Sequence, residues 1–280
     1  MRLFLITLLA LLAFAANSVL TRSALAFDQI DPSAFVAIRL ASGALMLAAL
    51  VALRGGLRGM LRHGNIGSAV ALFMYAAPFS FAYVTLDAGI GALILFGGVQ
   101  ITMFAGAVMG RERPAAARWV GSALGMIGLA VLFAPGAAAP DLFGAMLMVV
   151  AAISWGVYSL RGRGVSAPLQ ATATNFLYAA PLGILLWLLL PGETTSSMTG
   201  ILLAIASGAL ASGIGYAIWY ATLPKLDASL AAIVQLTVPL IALAGGLVFL
   251  GEAATWTFVI SSGLILGGVL IAVLMPQRRK

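Results

Sequence analysis

The sequence predicts an all-α polytopic membrane protein with ten transmembrane helices, and three observations lead to this prediction. The chain is 62% hydrophobic and 8% charged, whereas roughly 25% of the residues of an ordinary soluble domain are charged. Long apolar stretches recur along it, and about 20 such residues cross a hydrocarbon core of roughly 30 Å. Basic residues, finally, cluster at every second break between these stretches.

Hydropathy and its breaks place the spans in order. They are predicted at residues 3–25, 33–53, 66–86, 88–109, 117–134, 141–160, 168–190, 199–223, 228–250 and 255–275. The first is assigned as a span and not as a cleaved signal peptide, because nine further spans follow it. The loops between spans are too short to hold a soluble domain.

Basic residues mark one side of the predicted membrane. Of the 15 basic residues, 13 lie at the N-terminus, in the stretches 54–62, 111–118 and 161–163, at Lys225, or at the C-terminus. Two predicted spans separate each of these places from the next. The positive-inside rule makes this side the cytoplasm and puts both termini there. The net charge of +7 is therefore assigned to membrane orientation, and no nucleic-acid partner is expected.

The two halves of the chain carry matching features at an offset of 140 residues. Leu-Asp-Ala occurs around Asp87 and again around Asp227, and Glu112 is matched by Glu252. Charged residues are rare in this chain, and both aspartates lie at equivalent breaks between spans. We predict that each aspartate caps the helix that follows it by accepting hydrogen bonds from free backbone N–H groups, typically worth ~1 kcal/mol.

Each half holds five predicted spans, and this odd number has a topological consequence. The second half must enter the membrane from the opposite face. Residues 1–136 and 137–280 are therefore predicted to form two inverted five-helix repeats. Inverted repeats are the architecture of secondary transporters, in which the substrate site lies between the halves and access alternates as they rock.

Groups that could carry chemistry are nearly absent from the predicted spans. The chain has no cysteine, its one histidine (His63) lies in a predicted cytoplasmic loop, and no acidic residue falls in the middle of a span. The sequence therefore shows no proton relay, no hydrolytic site and no converging set of metal ligands. It also lacks a GxxxxGK[ST] motif, which would be needed to couple transport to ATP. We expect no enzyme activity, no metal and no cofactor.

Arg39 is the one charge well inside a predicted span, about six residues from its outer end. A charge inside a bilayer costs about 2.5–3.5 kcal/mol on insertion scales and usually has a function, so Arg39 is a candidate partner for a substrate carboxylate. The alternative is an arginine that snorkels to the lipid headgroups or binds helix-end carbonyls. The sequence slightly favours this alternative.

Aromatic residues recur at helical spacing in two spans, so that each set lines one helix face. The sets lie in the third and the eighth span: Tyr75, Phe79 and Tyr83; Tyr216, Trp219 and Tyr220. Amides, further aromatics and a proline that interrupts the ninth span complete the candidate substrate-binding set: Asn17, Gln100, Trp155, Tyr158, Gln235 and Pro239. Ring faces hold an ammonium by cation–π attraction and stack on aromatic groups. We therefore predict a central aromatic cavity for an organic zwitterion or cation.

A further prediction follows from the repeat. Phe79 and Trp219 lie 140 residues apart, and the inverted topology places Phe79 with Tyr83 toward the outside and Trp219 with Tyr220 toward the cytoplasm. We hypothesise that these pairs form an outer and an inner gate.

Paired glycines mark the fifth and tenth spans. They form the motifs Gly121-x-x-x-Gly125 and Gly263-x-x-x-Gly267. Small residues at this spacing let helix backbones approach closely. The motifs indicate either packing between these two spans or a homodimer contact.

The sequence also resembles the drug/metabolite transporter superfamily, EamA type. The resemblance covers nearly the whole chain, and several short motifs carry it: Phe14-Ala-Ala-Asn17, Trp155-Gly156, Arg39, Gly110-Arg-Glu112, Leu250-Gly-Glu252 and Thr237-Val-Pro239. Within the superfamily the chain looks most like the bacterial aromatic-amino-acid exporters. It departs from the family pattern where Val99 replaces a proline and Phe14 replaces a tryptophan.

The residues and the resemblance together lead to one expected function. We expect a multi-pass protein of the bacterial inner membrane that moves neutral amino acids, aromatic ones preferred, by alternating access. Export as the direction is implied by the resemblance alone. The alternatives are a broad metabolite or drug exporter of the same fold, and a non-transporting membrane scaffold. The expected partners are the small-molecule substrate, the lipid bilayer and, if the glycine motifs meet between chains, a second copy.

Overall fold

The computed structural model describes residues 2–25, 27–86, 88–133, 141–192, 196–249 and 256–275. All regular secondary structure within these ranges is helical. The α-helices are α1 (Arg2–Leu25), α2 (Pro32–Leu53), α3 (Ile66–Thr85), α4 (Ala88–Met109), α5 (Ala116–Phe133), α6 (Leu142–Gly162), α7 (Pro168–Leu189), α8 (Met198–Ala206), α9 (Gly215–Thr222), α10 (Ala228–Gln235), α11 (Val238–Phe249) and α12 (Trp256–Leu274).

These helices form ten apolar segments that coincide with the ten predicted spans. Six are at least 18 residues long and apolar enough to cross a membrane, and four shorter apolar segments lie in α4, α5, α10–α11 and α12. The eighth span runs without a break from Met198 to Lys225. The all-helical, multi-span architecture is thus confirmed, whereas the side on which the termini lie stays a prediction.

The prolines of the third and ninth spans behave differently. The ninth span is broken, because α10 ends at Gln235, a turn follows, and Pro239 is the second residue of α11. In contrast, Pro78 lies inside α3, which continues to Thr85. A proline has no N–H to donate, so in both places the carbonyl four residues earlier loses its usual partner.

The middle of the eighth span is a π-helix, Ser207–Ile214, which joins α8 to α9. It packs against α2 through facing glycines. A Cβ atom on Gly208 would lie 2.2 Å from the carbonyl oxygen of Arg39, and a Cβ on Gly43 would lie 3.0 Å from the carbonyl oxygen of Gly208. Only glycine permits these approaches, and they bring the π-helix into contact with the helix that carries Arg39.

Polar side chains cap several helices at their N-termini. Asp31 accepts hydrogen bonds from the backbone N–H groups of Ser33 and Ala34, at 2.9 and 3.2 Å. Asp141 likewise accepts from the N–H group of Gly144 at 2.6 Å. Such caps satisfy donors that have no partner inside the helix.

The predicted cap at Asp227 is wrong. Asp227 occupies the N-cap position of α10, yet its side chain makes no capping hydrogen bond. It instead forms an ion pair with Arg118, and the carboxylate of Glu112 accepts from the N–H groups of Ala228 and Ser229, at 3.0 and 3.4 Å. The cap is therefore supplied by a residue from the loop between α4 and α5. The matching prediction for Asp87 lies outside the described residues.

Helices α5 and α12 pack closely along their length. A Cβ atom on Gly121 would lie 2.5 Å from the carbonyl oxygen of Gly268, and one on Gly268 would lie 2.6 Å from that of Gly121. Gly125 instead faces Leu236, while Gly263 and Gly267 have no atom within 4 Å of such a Cβ. The predicted packing between the fifth and tenth spans is present, but it uses Gly268 on α12 and not the predicted pair.

Candidate functional site

A continuous line of six aromatic rings runs through the interior of the bundle. Its members are Tyr83, Phe79, Tyr75, Trp155, Tyr158 and Tyr220, and we call this line the aromatic column. The distances between successive ring centroids are 4.8, 5.2, 4.9, 5.7 and 4.6 Å. Rings at such distances attract one another beyond the effect of burial alone. The column joins α3 to α6 and then to α9.

Three more rings surround the middle of the column. Phe14 of α1 meets Trp155 edge-on with centroids 5.1 Å apart, and Tyr216 packs against Trp155 at 4.6 Å. The ring of Trp219 lies 5.5 Å from that of Phe14. The two aromatic sets that the sequence placed on different helices are thus brought into one cluster.

Arg39 lies beside this cluster with its side chain fully inside the protein, at 1% exposure. Its guanidinium carbon is 5.3 Å from the ring centre of Tyr75 and 5.2 Å from that of Phe79. This position excludes snorkelling to the lipid headgroups, so the interpretation that the sequence slightly favoured is wrong. Gly208 lets the π-helix approach the backbone of Arg39 closely, and Ser212 of the same π-helix accepts a hydrogen bond from the arginine in the interior.

The hydrogen bonds of Arg39 all go to neutral hydroxyl groups. Its Nε donates to the Oγ of Ser212 at 3.0 Å, and one Nη donates to the hydroxyl oxygens of Tyr216 and Tyr75, at 2.8 and 3.3 Å. The other nitrogen, Nη1, is buried without a hydrogen-bond partner among the described residues. Since arginine stays protonated in proteins, the site holds a full positive charge with unused donor capacity.

Asn17 ties α1 to this network. Its Nδ2 donates to the hydroxyl oxygen of Tyr75 at 3.3 Å. Its Oδ1 accepts from the Oγ atoms of Ser207 and Ser212, at 2.7 and 3.4 Å. One buried amide therefore links α1, α3 and the π-helix around Arg39.

A second set of polar contacts holds the remaining rings. The Nε1 of Trp155 donates to the Oε1 of Gln235 on α10 at 2.8 Å, and the Nε1 of Trp219 donates to the Oγ of Ser159 at 3.1 Å. The hydroxyl of Tyr220 donates to the backbone oxygen of Tyr158 at 2.9 Å. These bonds fix the orientation of the indole and phenol rings in the interior.

The structure brings ten of the predicted site residues together in the interior, each at most 5% exposed: Asn17, Tyr75, Phe79, Tyr83, Trp155, Tyr158, Tyr216, Trp219, Tyr220 and Gln235. Pro239 is buried one turn after Gln235, at the break between α10 and α11. Gln100 lies elsewhere. Its amide donates to Ser122 of α5 at 2.6 Å, and its side chain lines a groove between α4 and α5.

A small space borders the ring cluster among the residues that the structure describes. Between Phe14, Tyr75, Leu95 and Trp155 there is a space of about 10 Å³, which is close to the minimum needed for one water molecule. A substrate as large as an amino acid enters this space only if the surrounding helices separate.

Larger spaces lie toward the edges of the bundle. Two apolar grooves of about 410 and 430 Å³ open between α2, α7 and α8 and between α4 and α5. A polar pocket of about 220 Å³ is lined by Arg161 together with His63, Asn65, Ser68 and Asn175. Arg161 there donates from Nε to Ser68 at 3.0 Å. This pocket lies on the side that the charge pattern assigns to the cytoplasm.

The sequence missed Ser207 and Ser212 as parts of the site. They lie five positions apart. This spacing points two side chains about 140° apart in an α-helix, whereas the i→i+5 hydrogen bonding of a π-helix brings them toward the same side. Phe14 was noted only in connection with the family resemblance, yet it contacts three rings of the cluster. The run of small residues between 206 and 213 was the one available signal.

Comparison with known proteins identifies the family. The model of the EamA-like transporter family matches residues 142–274. An uncharacterized protein of Pseudomonas aeruginosa is 46% identical over 276 residues, covering 99% of this chain and 96% of that protein. A "Probable amino-acid metabolite efflux pump" of Salmonella typhimurium is 29% identical over 222 residues, 74% of each chain.

A solved crystal structure has the same fold, with a TM-score of 0.81, 22% identity and 98% coverage of both chains. The protein described here belongs to the EamA-like transporter family and is a multi-pass membrane protein.

Proposed function

We propose that this EamA-family transporter moves neutral amino acids, preferentially aromatic ones, out of the bacterial cytoplasm across the inner membrane. The observation that carries the proposal is the aromatic column beside the buried guanidinium of Arg39. The name of the Salmonella relative, a "Probable amino-acid metabolite efflux pump", supports the substrate class and the direction. The function would be transport alone, without catalysis.

The column offers a series of equivalent contacts for a substrate ring. Its rings are spaced 4.6 to 5.7 Å apart, so a substrate side chain could pass from one face or edge to the next without a large change in energy. Arg39 would hold the carboxylate during this passage by a charge-assisted hydrogen bond from Nη1, the guanidinium nitrogen without a partner among the described residues. The ring faces would receive the ammonium by cation–π attraction.

Alternating access would open the closed centre from one side at a time. We propose that residues 1–136 and 137–280 are the two inverted units that rock against each other. Phe79 and Tyr83 would separate toward the outside, and Trp219 and Tyr220 toward the cytoplasm. The small central space supports this scheme, because a substrate needs one or the other set of rings to part.

The test is transport by the purified protein in liposomes. Vesicles loaded with unlabelled phenylalanine should take up labelled phenylalanine by counterflow, with tyrosine and tryptophan competing more strongly than alanine. Export predicts net efflux from right-side-out vesicles. Equal competition by unrelated metabolites would favour the broad exporter, and no counterflow of any solute would favour the scaffold.

The gate proposal has its own test. Trp219→Ala should change the rate of phenylalanine counterflow by about tenfold, since a ring pair of this kind contributes ~1 kcal/mol and its burial more. Trp187→Ala is the matched control, because Trp187 is 45% exposed. An unchanged rate in a folded Trp219→Ala protein would contradict the gate assignment.

A further inference from the structure

Arg39 places one permanent positive charge in the interior without a neutralising acid. Its three hydrogen-bond partners, Ser212, Tyr216 and Tyr75, are uncharged at neutral pH. Nη1 remains buried and unpartnered among the described residues. A buried charge normally has a counter-charge, because burial removes the water that would otherwise stabilise it.

The acidic residues that the structure describes are all engaged or exposed elsewhere. Asp31 and Asp141 cap α2 and α6. Glu112 and Asp227 form ion pairs with Arg118, and Asp28 is exposed in the loop after α1. None of these described carboxylates is left to balance Arg39 or to bind an ammonium at the column.

From this arrangement we infer that the substrate carboxylate is the recognised charge and that the ammonium is dispensable. This inference rests on the proposed function and names its substrate class: amphipathic monocarboxylates with an aromatic or apolar side chain, with or without an α-amine. An incoming carboxylate meets a complementary charge and a free donor at Nη1. An organic amine without a carboxylate meets a like charge in a dry environment, which disfavours it.

The neighbourhood of Arg39 fits the rest of such a molecule. The ring of Tyr75 lies on the guanidinium on one side and lines the small central space on the other. That space is otherwise bounded by Ser18 and by large apolar and aromatic side chains, among them Phe14, Leu95 and Trp155. A carboxylate bound at Arg39 therefore has rings and aliphatic groups next to it, and no described acid where the amine would lie.

Three compounds with the same phenyl ring test the contributions of the carboxylate and the ammonium separately. L-Phenylalanine carries both, 3-phenylpropanoate carries only the carboxylate, and 2-phenylethylamine carries only the ammonium. Each is added outside proteoliposomes as a competitor of labelled phenylalanine counterflow at pH 7. We expect 3-phenylpropanoate to inhibit within about threefold of phenylalanine, and 2-phenylethylamine to be at least about tenfold weaker, the equivalent of ~1.4 kcal/mol.

Arg39→Gln tests the residue itself. In this variant the preference for 3-phenylpropanoate over 2-phenylethylamine should disappear. Arg39→Lys should keep part of the preference, because lysine retains the positive charge but lacks the planar guanidinium group. Arg54→Gln, an equal charge change at the exposed end of the same helix, should leave the preference unchanged. The inference is overturned if 2-phenylethylamine competes as well as 3-phenylpropanoate, or if Arg39→Gln keeps the wild-type preference.

A binding measurement separates failure of this inference from failure of the proposed function. The three compounds are titrated against the tryptophan fluorescence of the full chain in detergent, since Trp155 and Trp219 lie in the ring cluster. Absent counterflow of phenylalanine would overturn the proposed function. Carboxylate-selective quenching that Arg39→Gln abolishes would still support the charge assignment, and quenching by the amine alone would overturn it.

Discussion

The ion-pair network around Arg118 should behave as one unit in the stability of the protein. Arg118 is 4% exposed and donates to Glu112 at 3.0 Å, to Ser229 at 2.8 Å and to Asp227. Glu112 in turn caps α10 through the N–H group of Ala228. The network therefore joins the loop after α4 and the start of α5 to the start of α10.

The size of the effect follows from how well each contact is shielded. The side chains of Arg118 and Glu112 are 5% and 13% exposed, so each of their charged hydrogen bonds should contribute ~1.5–3 kcal/mol. The side chain of Asp227 is 48% exposed, which reduces its share to about 0–1 kcal/mol. We expect Arg118→Ala and Glu112→Ala each to lower the free energy of unfolding by ~3 kcal/mol.

A double-mutant cycle shows whether Arg118 and Glu112 stabilise the protein together or independently. The Arg118–Glu112 bond is lost in both single variants but only once in the double variant. The double variant should therefore lose ~4 kcal/mol and not ~6, a coupling of ~2 kcal/mol, within the range seen for residues in one network. The assay is SDS-induced unfolding in mixed micelles, followed by tryptophan fluorescence.

The control cycle uses exposed residues that belong to no network described here. Arg58→Ala and Lys225→Ala, both at exposed positions, should have small effects that add within about 0.3–0.5 kcal/mol. If the losses in Arg118→Ala and Glu112→Ala also add within that margin, the carboxylate and the guanidinium do not act together. The account of how the α10 cap is held would then be refuted.

Two further substitutions test the packing of the interior by the same unfolding assay. Gly268→Ala should lower the free energy of unfolding by ~1–3 kcal/mol, because its Cβ would meet the backbone oxygen of Gly121 at 2.6 Å. Gly267→Ala, one residue earlier, meets nothing within 4 Å and should be neutral or slightly stabilising; equal losses in both would contradict the assigned helix contact. Gln235→Leu should lower the free energy of unfolding by ~1–3 kcal/mol, because it leaves the buried Nε1 of Trp155 without an acceptor. If Gln235→Leu lowers it equally in a Trp155→Phe background, this hydrogen bond is not the cause.

The sequence by itself determined the spans and the faces that turn inward. Ten spans, the break before Pro239 and the two aromatic sets follow from hydropathy and from residue spacing along a helix. These are local properties, since a helix satisfies its own backbone hydrogen bonds wherever it packs in the membrane. A residue's position within a single helix was therefore enough to place Tyr75 and Tyr216 in the interior.

The tertiary structure decided which partners those residues have. Arg39 is held by Ser212 and Tyr216, which lie 173 and 177 residues away in sequence, and its burial depends on a π-helix that no hydropathy pattern shows. The cap of α10 comes from Glu112, 116 residues before Ala228, and not from the adjacent Asp227. Buried polar groups form hydrogen bonds with whatever partners the neighbouring helices bring within reach. Which partners come within reach depends on how closely the helices approach each other, and residues such as Gly208 set that distance.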